Sequence, residues 1–118
     1  MNAAAFAAAL ATAILAAPSA IAQDCTPTPR MPESESYAIK RAMVAEHHPG
    51  HGLEEYELDH IVPLILGGSN DRSNLQLQPW DEARRKDADE IAVYELFREG
   101  ALTCAEAQET MREWRPRP

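Results

Sequence analysis

Positive charge is scarce in this chain. Eleven lysines and arginines face nineteen aspartates and glutamates, a formal balance of −8, so no broad basic face is available to grip a polyanion. Any hold on nucleic acid must therefore be local and sharply salt-dependent. Cysteine is equally sparse. The two thiols, Cys25 and Cys104, are too few for a closed zinc cluster, and Cys104 has no histidines around it. One disulfide between them, formed in an oxidising compartment, is the expectation. No internal repeat is visible, which sets repeat arrays aside.

Residues 1–22 lack any charged side chain, even near Met1, where an export signal usually carries one. They are dominated by alanine, with Leu10, Ile14 and Leu15 in the centre and Pro18 and Ser19 before Ala20-Ile21-Ala22. This pattern predicts an export signal cleaved after Ala22. The rival is a membrane anchor, against which the small alanines and the Ala-x-Ala exit argue. Gln23-Asp24 before Cys25 is the wrong chemistry for lipidation. The expected product is periplasmic or secreted, free of the membrane after cleavage.

Residues 23–33 carry Pro27, Pro29 and Pro32, which keep the backbone extended and prevent a helix, so they read as an arm or linker. The remainder, 34–118, is long enough for one domain with a small core. A chain of this size buries a modest share of its surface and benefits from a crosslink. A bridge from the arm to the carboxy-terminal helix would contribute about 2 to 4 kcal/mol.

The spacing predicts a helix over 34–46, with Ile39 and Met43 on one face, broken by Pro49, Gly50 and Gly52. His47, His48 and His51 sit in that break beside Glu46, Glu54 and Glu55. Imidazoles and carboxylates together can bind a transition metal, although a polar loop is the plainer account. Residues 56–66 read as a strand that pairing should leave at Pro63. Gly67-Gly68-Ser69-Asn70-Asp71 is turn chemistry, and 74–78 alternates as a returning strand should. A helix over 80–99 follows, with Asp81 and Glu82 favouring its amino end and Ala83, Ala88, Ile91, Tyr94 and Phe97 forming its buried stripe. Gly100 stops it. Thr103 and Glu106 make a capping-box pattern for a last short helix with Ala107, Met111 and Trp114 inside. Residues 115–118 read as a frayed tail.

Asp59-His60-Ile61-Val62-Pro63-Leu64, then Gly67-Gly68-Ser69-Asn70-Asp71, then Asn74-Leu75, resembles the ββα-metal core of the HNH endonuclease family over residues 37–90. The resemblance implies an α+β fold, a hairpin plus helix flanked by an amino-terminal helix and a short carboxy-terminal helix. It also implies metal-dependent hydrolysis of DNA phosphodiester bonds. His60 would be the general base, Asp59 a metal ligand and Asn74 the residue that fixes the facing backbone. Arg72, Arg84, Arg85 and Lys86 would hold phosphates. Lys86 matches the basic residue that closes the motif, as in the Ala-x-x-Lys-Asp segment of small exported bacterial relatives.

The third metal position falls on Ala83, so the cation would draw on Asp81, Glu82 or water. Mg²⁺ tolerates a watery shell best, with Mn²⁺, Ni²⁺ and Zn²⁺ as alternatives. Asp59 and His60 are consecutive, and consecutive strand residues point to opposite faces. Both serve one site only if the strand twists, bulges or ends there. Two other readings stay open: a degenerate domain that binds a partner without cutting, and a periplasmic metal-binding protein built on His47, His48 and His51.

Overall fold

The structure is a computed structural model that describes residues 25–118. The expected signal peptide lies outside the described residues. No described helix is long and apolar enough to cross a membrane. The element order is α1 (Glu33–His47), β1 (Tyr56–His60), β2 (Leu75–Pro79), α2 (Trp80–Arg98) and α3 (Cys104–Arg112). Among the described residues the fold is thus α+β, with one two-stranded antiparallel hairpin and three α-helices. Asp59 pairs with Gln76 and Glu57 with Gln78 across the hairpin.

The first strand is shorter than the apolar run that follows it. Ile61 N–H still reaches Asn74 O at 2.8 Å, but beyond it the ladder stops and Leu64–Leu66 coils into a tight helical turn. The cause is local. Pro63 has no N–H to offer, and both backbone polar groups of Val62 are taken by the Asn74 side chain. Gly68 closes the same loop. A Cβ at that position would overlap the Val62 carbonyl, so only glycine lets the two backbone segments meet.

Side chains alternate across the hairpin. Glu57, Asp59, Gln76 and Gln78 share one face, and the bond from α2's Lys86 to Asp59 shows that this face looks at α2. The other face carries buried Tyr56 and Leu75, and α1 covers it, with its cap residue His48 stacked on Tyr56. The apolar core lies to one side. Val62, Leu66, Val93, Ala107 and Met111 form it, with Tyr94, Phe97, Leu102 and Trp114 packed around. Gln108 ties α3 to it by donating to Leu66 O at 2.8 Å.

The buried stripe of α2 differs from the expected one. Ala83 is buried and Tyr94 and Phe97 are half-buried, but Ala88 is exposed and Ile91 is 64 % exposed. The helix is rotated so that Lys86 and Glu90, one turn apart, face the polar side of the hairpin. Gly100, with φ 79°, ends α2 in a Schellman motif through Ala101 N to Leu96 O and Gly100 N to Phe97 O. The capping box at Thr103 is complete in both directions.

The Cys25–Cys104 disulfide is present. The tail is not frayed. Trp114 Nε1 donates to Asp89 Oδ2 at 2.8 Å and Arg117 grips both oxygens of the same carboxylate at 2.9 Å. The Trp114 bond, followed by the Arg117 charge, holds the Asp89 carboxyl below its ordinary value.

Candidate active site at the end of the first strand

Asn74 sits at the mouth of the hairpin and spends its whole amide on the opposite backbone. Its Oδ1 accepts from Val62 N at 2.9 Å, and its Nδ2 donates to Val62 O at 3.0 Å and Ser69 O at 2.8 Å. These bonds fix the chain directly after His60. The His60 ring is half-buried, and its Nε2 lies 2.9 Å from Asn70 Oδ1. The Asn70 Nδ2 donates to Pro29 O at 2.9 Å, which settles the orientation of that amide. An amide oxygen can only accept, so His60 carries its proton on Nε2. In the neutral ring this leaves the lone pair on Nδ1, for which no hydrogen-bond partner is found among the described residues.

Asp59 points the other way. Its Oδ2 accepts from Lys86 Nζ at 2.7 Å and from Gln76 Nε2 at 2.9 Å. Lys86 Nζ also donates to His60 O at 2.7 Å and Glu90 Oε1 at 3.0 Å. An ammonium has three protons, and all three are placed. Asp59 is 7 % exposed and Lys86 fully buried. The strand therefore keeps its pleat at this point, and the carboxylate and imidazole share no partner.

These contacts decide what each expected site residue is free to do. Lys86 is sealed between strand and helix and cannot hold a DNA phosphate, which corrects the role the resemblance gave it. Arg84 is exposed on α2, whereas Arg85 is engaged with Asp81 Oδ2 at 3.0 Å and Arg72 with Glu46 Oε2 at 3.0 Å. Exposed pairs of this kind open at little cost.

Does the donor set suit a divalent cation? It does not. Asp59 already holds an ammonium through Oδ2, Ala83 is buried and offers no ligand atom, Asp81 is an exposed carboxylate loosely held by Arg85, and Glu82 faces a cleft of about 220 Å³ beside Arg112 and Trp114. Among the described residues no three His, Cys, Asp or Glu side chains form a ligand group. Of the three histidines of the early loop, His48 and His51 stay together, their rings edge to face 5.9 Å apart beside Tyr56. His47 is near Glu46, His48 stacks on Tyr56 with ring centres 4.5 Å apart, and His51 is 3.3 Å from Glu55.

Sequence reasoning missed four participants: Asn70, Gln76, Glu90 and the Pro29 carbonyl. The Lys86-Glu90 spacing of one helical turn and the register that sets Gln76 opposite Asp59 were the available signals. Nothing in the sequence marks Pro29.

Four carboxylates crowd one ammonium here. Burial first, then the charges of Asp87, Asp59 and Glu90, push the Glu57 carboxyl above its ordinary 4.5 against the pull of Lys86. Burial likewise pushes Glu90 up. Glu57 Oε2 and Gln78 Oε1, on directly paired residues, are buried acceptors without a donor, a setting that favours a carboxyl keeping its proton. A raised carboxyl binds its proton more tightly folded than unfolded, so its cost is present at neutral pH. That cost is relieved as pH falls through the raised value toward 4.5. The midpoint of thermal unfolding should rise from about pH 7 to about pH 5, and Glu57→Gln should raise it at neutral pH and flatten the climb. Asp89 and Glu106, held below their ordinary values by hydrogen bonds, withdraw support only at more acid pH. A midpoint that falls across the interval, or is lowered by Glu57→Gln, contradicts this account.

No protein-family model, curated relative or solved structure matches the chain.

Proposed function

We propose that the domain is an HNH-like phosphodiester hydrolase acting on DNA after export, with His60 as general base. One observation carries this reading: His60 Nε2 faces the oxygen of an Asn70 amide oriented by Pro29 O, at a strand end clamped by Asn74, an arrangement that suits the neutral tautomer with Nδ1 bare. A water beside that nitrogen loses its proton to Nδ1 as its oxygen bonds to phosphorus. The P–O3′ bond then breaks, the O3′ keeps the electron pair and takes a proton from solvent, and His60 returns its own to solvent. Arg72 and Arg84 are the guanidinium groups suited to hold the phosphate and spread its charge. The donor set around Asp59 does not fit a divalent cation, so no step runs through one. The disulfide suits the oxidising compartment that export reaches.

The Lys86–Asp59 pair, in which all three ammonium protons are placed, favours a second reading, in which the same domain binds without cutting. Supercoiled plasmid separates the two. The first reading expects nicking that falls by about 10²-fold or more in His60→Ala, with unfolding of the variant unchanged. Equal nicking by His60→Ala contradicts it. A gel shift with no nicking by the wild-type protein supports the second.

A further inference from the structure

The amino-terminal arm is built into the reactive end of the molecule. Cys25 joins it to the first residue of α3, Thr28 N donates to Leu64 O at 2.9 Å, and Pro29 O accepts from Asn70 Nδ2 at 2.9 Å. Two of the three ties land on the loop between the strands. One of these two, from Pro29, crosses 41 positions of sequence to the side chain that is hydrogen-bonded to the His60 ring.

We propose that Asn70 is a positioning residue that hands the arm's geometry to His60, and that the Pro29 carbonyl is its reference point. An asparagine amide can turn over and present either a donor or an acceptor. Turned over, Asn70 would offer an N–H to Nε2, move the ring's own proton to Nδ1, and occupy the lone pair that hydrolysis needs. Pro29 O blocks that alternative, because the flipped amide would set oxygen against oxygen. Proline suits the task, since its fixed φ holds the extended path that aims the carbonyl. The disulfide and the Thr28 bond keep that path in place from the other side. This inference rests on the hydrolase reading for its consequence, but the tautomer itself can be observed without any activity.

The test is nitrogen-15 NMR of the histidine rings in the full chain, combined with plasmid nicking. In the wild-type protein His60 is expected to show a protonated Nε2 and a bare Nδ1. In Asn70→Ala the two nitrogens should move toward averaged shifts, and nicking should fall about 10- to 100-fold. Asn70→Asp separates the two links: it can still accept from Nε2 but cannot donate to Pro29 O. It should keep the ring pattern while the amide of Thr28, bonded to Leu64 O, loses protection from exchange. An unchanged ring pattern in folded Asn70→Ala overturns the proposal, as does a wild-type ring protonated on Nδ1. A ring pattern that responds to Asn70→Ala in a protein that nicks nothing upholds the positioning role and removes the hydrolase reading alone.

Discussion

Replacing Lys86 by methionine should cost the domain about 3 to 5 kcal/mol, a large share of what holds a chain of this size. The side chain keeps its length and loses its charge. Asp59, 7 % exposed, would be left facing Glu90 and Glu57 with no cation between them, and three acceptors would lose the ammonium, Asp59 keeping Gln76 alone. Removing one partner of a buried pair is expensive because the other charge stays behind, not because the pair is strongly stabilising. Neutralising the acids as well should therefore recover most of the loss: Lys86→Met combined with Asp59→Asn and Glu90→Gln is expected well above Lys86→Met alone in urea unfolding. By contrast, charge removal at the exposed Arg112–Glu109 pair should change stability by less than about 1 kcal/mol. A Lys86→Met protein as stable as wild type would show that the ammonium is not the tie the structure makes it.

Exchanging both cysteines for serine should lower stability by a comparable amount. The bridge spans 79 positions, and confining a loop of that length in the unfolded chain accounts for about 4.5 kcal/mol in the chain-entropy model. Cys25 also packs against the core cluster, so the loss includes contacts. For a domain of this size the unfolding midpoint should drop by roughly 15 °C or more, and a reductant should reproduce the drop in the wild-type protein. A shift of only a degree or two on reduction would mean that the arm is held by its hydrogen bonds alone.

The parts of the molecule written in local chemistry could be read before the structure. The turn residues 67–71 and the alternation after them predict the hairpin, and Thr103 with Glu106 predicts the start of α3. Two lone cysteines predict their bond. What escaped depends on tertiary pairing. A lysine in a run of charged residues normally reads as solvated, and only the arrival of Asp59, two strand residues before Ile61, pulls Lys86 inward and turns α2 so that Ile91 faces solvent. The end of β1 is set by Asn74, whose side chain holds Val62 from 12 positions away along the chain. The tail is fixed by one half-buried carboxylate, Asp89, whose partners Trp114 and Arg117 lie 25 and 28 residues off. The site divides in the same manner. His60 and Asn74 are legible from the motif, whereas the Asn70–Pro29 link joins segments that carry no mutual signal.

A lysine ammonium holds the place between strand and helix that the resemblance assigns to a metal. Unfolding midpoints measured in EDTA and then in millimolar Mg²⁺ or Mn²⁺ test it directly. A cation bound at a hundred times its dissociation constant would add about 2.7 kcal/mol, a shift too large to overlook. The account predicts no saturable shift with either ion. A saturable rise that disappears in Asp59→Asn would contradict it and restore the metal to the site.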